Sequence, residues 1–177
     1  MDEIKPDTQS TEEPAISDQQ LQMALDSLRS EQNLLVGSLV GLAASMLGAG
    51  IWAAVTALTE YQIGWMAIGI GVLVGFSIRL AGKGIDQTFG IAGAALSLIG
   101  CVVGNILTIT YYVAINQEMS FMGIFVQLNP GIIYEMLTST FEVMDVLFYG
   151  LAGYFGYKYA FRPVSEDDFN RALGRAT

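Results

Sequence analysis

Acidic residues inside an apolar stretch are the first candidates for chemistry in this chain. Asp145 lies within an apolar run, and Glu142 precedes it by one helical turn. Lipid disfavours charge, so an ionisable residue inside a membrane span is a functional candidate by default. If Asp145 is buried without a cation, it must be neutral or accept several hydrogen bonds. Two interpretations stay open: Asp145 supports the start of a helix near headgroup water, or it senses protons or cations.

Uncharged polar residues accompany Asp145 at a similar depth. Counted inward from the predicted outer helix ends, Asn105, Thr108, Thr56 and Asp145 lie roughly 4–10 Å deep at about 1.5 Å per residue. They form a candidate polar cluster in the outer third of the protein. Glu142 follows Ser139 by three residues, which is the spacing of a capping box, and we interpret it as part of a helix cap.

The composition argues against most catalytic and metal sites. The chain has no histidine, and its one cysteine, Cys101, lies in an apolar run. The commonest general base and the commonest metal ligands are therefore missing. We expect no catalytic constellation, no metal site, no cofactor and no enzymatic activity. Residues 1–33 carry eight acids against two bases, so this arm would repel nucleic acid and anionic lipid alike.

Four apolar runs must position these residues. They cover residues 34–58, 63–81, 89–112 and 141–161. About twenty apolar residues in a helix cross the hydrocarbon core of a bilayer. The predicted fold is therefore all-α: a polytopic membrane protein with four transmembrane helices, preceded by a cytosolic amphipathic helix.

The distribution of lysine and arginine predicts the orientation. The connections 59–62 and 113–140 contain neither residue type. The eight bases lie before the first run, around the second connection, or at and beyond the C-terminal end of the fourth run: Lys5, Arg29, Arg79, Lys83, Lys158, Arg162, Arg171 and Arg175. Because basic residues stay on the cytoplasmic side, both termini should be cytoplasmic. Arg79, Lys83, Lys158 and Arg162 would set the topology and contact headgroups, with Arg79 snorkelling from its span.

Small residues recur at helical spacing in every run. The glycines are Gly37 and Gly41 in the first run, Gly71 and Gly75 in the second, Gly100 and Gly104 in the third, and Gly150, Gly153 and Gly156 in the fourth. Helices in lipid associate through close backbone contact, which small residues permit. We predict that these faces build one compact bundle. Some of them would alternatively face a second copy or another membrane protein.

The segments outside the runs have their own signals. Residues 1–16 are polar and predicted to be disordered, and residues 17–33 to form an amphipathic helix with Ser17 as its N-cap. In the outer loop 113–140, Asn129 and Pro130 should start a short helix. That loop would lie at the membrane interface, either as a cover over the bundle or as a lid over a ligand vestibule. Residues 163–177 should form a cytosolic tail helix capped at Ser165.

Four segments together resemble an uncharacterised family of small four-pass bacterial inner-membrane proteins. They are residues 61–68, 79–86, 104–105 and 144–150. The resemblance covers roughly residues 34–162 and leaves out the acidic arm. It implies a bacterial cytoplasmic-membrane location and no particular activity.

Two functional classes follow from these expectations. The first is a scaffold or accessory subunit that packs through its glycine-rich faces and presents acidic cytosolic ends to partners. The second is a small oligomeric channel or transporter with a polar site around Asp145 and Asn105. Four short spans enclose little volume, so transport would need several copies. The lipid bilayer is a partner in both cases, and nucleic acid in neither.

Overall fold

The computed structural model describes residues 17–61 and 63–174, apart from the side chain of Phe169. The predicted disorder of residues 1–16 lies outside them. The described residues form α-helices and no β-strand, so the all-helical fold is confirmed. The helices are α1 (Asp18–Ser30), α2 (Leu34–Thr59), α3 (Trp65–Gly82), α4 (Gln87–Asn116), α5 (Phe121–Phe125), α6 (Pro130–Thr140), α7 (Val143–Tyr159) and α8 (Glu166–Ala172). They fall into two compact units, of which one contains α1 and α8 and the other spans residues 31–164.

Within the described part of the chain, three helices are long and apolar enough to cross a membrane. They are α2, with 26 residues, α3, with 18, and α4, with 30. The fourth predicted span is shorter than expected: α7 has 17 residues, or roughly 26 Å at 1.5 Å per residue. Its flanking residues 141–142 and 160–161 belong to its caps and connections.

The larger unit is a four-helix bundle. The helices α3 and α4 each contact both α2 and α7, and α3 also contacts α4. No contact joins α2 to α7, so these two occupy opposite corners. The interior holds Trp52 from α2, Val74 and Ile78 from α3, and Cys101 from α4, all almost fully buried.

The outer surface of the bundle is as apolar as its interior. Leu47 on α2 is 64% exposed, Leu80 on α3 is 76% exposed, and Val143 on α7 is 88% exposed. Large contiguous apolar surfaces are rare on soluble monomers. This surface is what a helix bundle needs when lipid surrounds it, because lipid tails solvate leucine and valine side chains as well as a protein core does.

The first helix ends earlier than predicted. The sequence predicts an amphipathic helix over residues 17–33. The box of Ser17 and Gln20 forms as expected, with the Gln20 N–H donating to the Ser17 hydroxyl over 3.3 Å. However, α1 ends at Ser30, and Asn33 is the extended N-cap of α2, accepting from the Val36 N–H over 2.9 Å. Such a cap separates the two helices, because its backbone is non-helical.

The connection of residues 113–140 contains the predicted short helix and one more. Asn129 caps α6, with its side-chain oxygen accepting from the Gly131 and Ile132 N–H groups over 3.0 and 3.1 Å. Ser120 caps α5 in the same way. Of the long helices, α5 and α6 contact α4 alone. The expected role of this connection, as a cover over the end of the bundle or as a lid over a ligand vestibule, therefore stays a prediction. The helix α4 runs on to Asn116, and its extra turn gives the connection one wall to pack against.

The smaller unit contains α1 and α8. Its α1 is amphipathic, with Ala24 and Leu28 buried one turn apart. The predicted tail helix forms as α8, and the Asp168 N–H donates to the Ser165 hydroxyl over 3.1 Å. The Ser165 N–H in turn donates to the Asp168 carboxylate over 3.3 Å, which completes a capping box.

Candidate functional site

Three of the four residues of the predicted polar cluster are buried inside the bundle. Thr56 is 0% exposed, Asn105 2% and Thr108 4%. Asp145 is only half-buried and lies in the first turn of α7. The four residues therefore do not share one environment.

A tyrosine that the sequence reading missed connects two of the helices. The Tyr149 hydroxyl on α7 accepts from the Asn105 Nδ2 on α4 over 3.3 Å. The same hydroxyl donates to the Cys101 carbonyl oxygen over 3.3 Å. A buried tyrosine hydroxyl needs such partners. The only sequence signal was the position of Tyr149, which follows Asp145 by one helical turn and therefore lies on the same face.

Asp145 belongs to the capping box of α7. Its carboxylate accepts from the Glu142 N–H over 2.9 Å, and the Glu142 side chain accepts from the backbone of Asp145. The predicted box placed Ser139 at the N-cap and Glu142 three residues later, and that register is wrong. The Ser139 hydroxyl instead donates to the Met136 carbonyl within α6, because α6 continues to Thr140. Capping favours the interpretation that Asp145 supports a helix start.

A small pocket opens beside this cap. Its volume is about 240 Å³, and Glu142, Asp145, Gly64 and Phe148 are among its lining residues. Among the residues that the structure describes, no group of three or more His, Cys, Asp or Glu side chains is placed to hold a metal ion. The pocket thus has carboxylate oxygens, but their hydrogen bonds hold the helix end.

Two buried polar atoms in the bundle lack a hydrogen-bond partner within the described part of the chain. They are the indole Nε1 of Trp52 and the hydroxyl of Thr56. Both side chains lie on α2, four residues apart, and so on the same face. Near them, the Tyr112 hydroxyl donates to the Thr56 carbonyl over 3.3 Å. Buried unpaired groups of this kind are the ones that an internal water satisfies.

Most of the predicted packing glycines lie at helix contacts. Six of them lie so close to another helix that an added methyl group would be 3.1 Å or less from one of its atoms. The contacting pairs are Gly37 with Gly82, Gly41 with Ile78, Gly71 with Ala152, Gly75 with Gly156, Gly100 with Ser45 and Gly104 with Trp52. Gly153 makes ordinary contact with Leu98, at 3.8 Å.

Gly150 is the exception, since nothing lies within 4 Å of its added methyl position. It precedes the contact residue Ala152 by two positions, which is about 200° around the helix, so it faces away from the bundle. The tightest contact on α4 was missed. Gly93 lies against Gly156, and Gly93 with Ser97 has the small-xxx-small spacing that would have revealed it.

The predicted headgroup residues divide into two groups. Lys158 lies over the Tyr154 ring, with 5.7 Å to its centroid, and Arg79 lies 5.6 Å from the centroid of the Phe76 ring. Lys83 and Arg162, in contrast, both contact the Glu31 carboxylate, over 3.8 and 3.1 Å.

Comparison of the chain with protein-family models, with curated proteins and with solved structures finds no match. The family resemblance given above therefore stays a prediction. What the structure itself defines, over residues 17–61 and 63–174, is an all-helical fold with three helices long and apolar enough to cross a membrane.

Proposed function

We propose that this chain is a four-pass inner-membrane protein, with both termini cytoplasmic, that acts as a scaffold or accessory subunit of a membrane assembly. The fourth crossing is α7. It packs along α3 and α4, and its Val143, Val146 and Leu147 side chains are all more than half exposed. A helix that lies beside two spanning helices and exposes valine and leucine suits the same lipid depth. The lysine and arginine distribution supports the orientation.

The observation that carries the scaffold role is the closure of the bundle by its glycines. At the α3–α7 contact, the Cα of Ala152 lies 2.9 Å from where a methyl on Gly71 would be. At the α4–α7 contact, the Gly93 carbonyl oxygen lies 2.5 Å from the corresponding position on Gly156. Helices in such close contact leave no room between them for a path that conducts ions or solutes. A single copy therefore suits structural contact with partners better than conduction.

The topology is tested with tags and an impermeant reagent in intact bacterial cells. Tags fused after Thr177 and before Met1 should both be inaccessible from outside. A cysteine replacing Glu118, in the outer connection, should react with an impermeant maleimide. A C-terminal tag that is accessible from outside would mean an odd number of crossings and would refute the proposed orientation.

The scaffold role is tested by photocrosslinking from outward positions in native membranes. A photoreactive residue at Leu47 on α2, or at Gly150 on α7, should yield a discrete adduct with another membrane protein or a second copy. The same residue at Val74, which is 0% exposed, is the matched control and should yield none. Lipid adducts alone from both outward positions would count against the role.

A second candidate is the small oligomeric channel or transporter. The observation that favours it is the buried polar set of Asn105, Tyr149, Trp52 and Thr56, of which two have unpaired atoms. Purified protein in sealed vesicles would then carry a flux of ions or protons that Asn105→Leu abolishes. Under the scaffold proposal, the flux equals that of empty vesicles.

A further inference from the structure

Three positive charges converge on one pocket at the end of the bundle where α3 ends. The pocket has a volume of about 280 Å³ and is lined by Arg79, Leu80, Lys83, Arg162 and Pro163. The first two lie in the last turns of α3, Lys83 begins the connection to α4, and Arg162 and Pro163 follow α7. Residues that are far apart in the chain therefore build one basic recess.

The backbone around the pocket holds these cations in place. Lys83 has a left-handed backbone, with φ 49°, and its N–H donates to the Arg79 carbonyl over 3.1 Å. The Arg162 N–H donates to the Gly84 carbonyl over 2.8 Å, which ties the end of α7 to the α3–α4 connection. Gln32 pins the same connection, since its Oε1 accepts from the Ile85 N–H over 3.0 Å. The recess is thus preorganised.

The described ion pairs at this pocket involve Lys83 and Arg162. Glu31 is shared, at 3.8 Å from the Lys83 amine and 3.1 Å from the Arg162 guanidinium. Among the described residues, no carboxylate forms an ion pair with Arg79. The nearby Asp86 carboxylate accepts from the Gln32 amide over 2.9 Å. Arg79 therefore keeps a positive charge that no described carboxylate pairs, and an anion in the pocket would neutralise it.

The apolar wall of the pocket indicates which anion it suits. Leu80 is 76% exposed and stands next to Arg79, which lies about 4.5 Å inside the end of α3 at 1.5 Å per residue. In the proposed topology, this end of α3 lies near the level at which phosphates pass into glycerol and acyl chains. A free phosphate ion would gain nothing from Leu80, whereas a phospholipid would lay its glycerol and first methylenes against it.

We propose that Arg79, Lys83 and Arg162 form a binding site for the phosphate of an anionic phospholipid in the adjacent leaflet. Arginine forks bind phosphate oxygens in pairs, and lysine adds a point charge. Basic pockets between membrane helices bind lipid headgroups by the same chemistry. The inference rests on the proposed membrane location and is independent of the scaffold role.

Lipid binding is measured with the full chain in maltoside micelles by native mass spectrometry, with phosphatidylglycerol and phosphatidylcholine as the probes. Phosphatidylglycerol should bind more tightly. Arg79→Gln, Lys83→Gln and Arg162→Gln should each weaken its binding about fivefold, the value of one cation near an anionic surface. Glu31→Gln should strengthen it, because the competing carboxylate is removed. A purely structural role for Glu31 would not produce a gain.

Lys158→Gln is the matched control, because it removes a cation from the same end of α7 outside the pocket, and it should leave the affinity unchanged. A large excess of inorganic phosphate should not displace the lipid. Equal affinities for the two lipids, an equal loss in Lys158→Gln, or displacement by inorganic phosphate would each overturn the proposal. If Arg162→Gln does not fold, Arg79→Gln and Glu31→Gln still decide. If the lipid-binding experiment fails while the tag and maleimide experiment gives its expected result, the proposed four-pass topology is unaffected.

Discussion

Replacing Gly156 by alanine tests the packing of α7 most directly. The new methyl group would lie 2.5 Å from the Gly93 carbonyl oxygen and 3.0 Å from its carbon, and would also press on the Ser97 hydroxyl. A carbon–oxygen contact is comfortable from about 3.3 Å, so α4 and α7 would have to separate by about 0.8 Å here. Both neighbours on Gly93 are backbone atoms, which cannot rotate away.

The matched variant is Gly150→Ala on the same helix. Nothing lies within 4 Å of its methyl position. The substitution therefore changes the stability only through helix propensity, which favours alanine over glycine by about 0.5–1 kcal/mol. That term cancels between the two variants. The remaining difference is the cost of overpacking, about 1–3 kcal/mol. Gly156→Ala should therefore be the less stable variant by this amount, and Gly150→Ala should be at least as stable as the parent chain.

Thermal unfolding in maltoside micelles, followed by circular dichroism, measures the difference. For a chain of this size, 1 kcal/mol corresponds to a Tm shift of roughly 2–4 °C. Photocrosslinking from Gly150 would report independently that this face points outward. Equal Tm values for the two variants, or a lower Tm for Gly150→Ala, would mean that α7 is rotated about its axis relative to the structure and would refute this packing scheme.

Three further predictions use the same unfolding assay or a thiol reagent. Tyr149→Phe should destabilise the bundle by about 0.5–1.5 kcal/mol, because the Asn105 amide loses its acceptor. Tyr154→Phe is the control, since Tyr154 is 55% exposed, and it should not change the stability. Equal effects of the two substitutions would contradict the hydrogen bond. Asp145→Ala should lower the stability by about 1 kcal/mol, because the cap of α7 is lost. Asp145→Asn should lower it less, because the amide oxygen still accepts from the Glu142 N–H. Equal losses of stability would point to a role for the charge. Cys101, which is 0% exposed, should react with maleimide only after unfolding, and rapid reaction in the folded state would show that the interior is open.

The sequence predicted the helices well and their contacts unevenly. Hydropathy placed α2 and α3 to within two residues at each end, because twenty-residue apolar runs leave few alternatives. Capping chemistry located the starts of α1, α6 and α8, since Ser17, Asn129 and Ser165 accept from backbone groups a few residues away. Such signals are local and can be read from a short window of residues.

Contacts between helices depend on rotation, which spacing alone does not fix. The fourth run contains Gly150, Gly153 and Gly156, and their spacing is compatible with any of them facing the bundle. The structure turns Gly156 inward and Gly150 outward, because α7 must bury Tyr149 and Ala152 as well. The polar cluster shows the same limit. Depth counted along each helix grouped Asp145 with Asn105, but the partner of Asn105 is Tyr149, one turn deeper.

The buried hydroxyls bear on the choice between scaffold and transporter. Ser97 donates to the Gly93 carbonyl over 2.7 Å, Thr108 to Gly104 over 2.9 Å and Thr110 to Ile106 over 2.7 Å. Each bond returns to the same helix, so these residues are satisfied without water and add little bulk at the contacts. Polarity of this kind lets helices approach closely and does not line a path. The unpaired atoms of Trp52 and Thr56 lie on adjacent turns of α2, and buried groups of this kind are the ones that an internal water satisfies. One enclosed water is a structural element. Conduction through this chain would therefore have to run between copies, so a monomer in native lipid would exclude the transporter and leave the scaffold role.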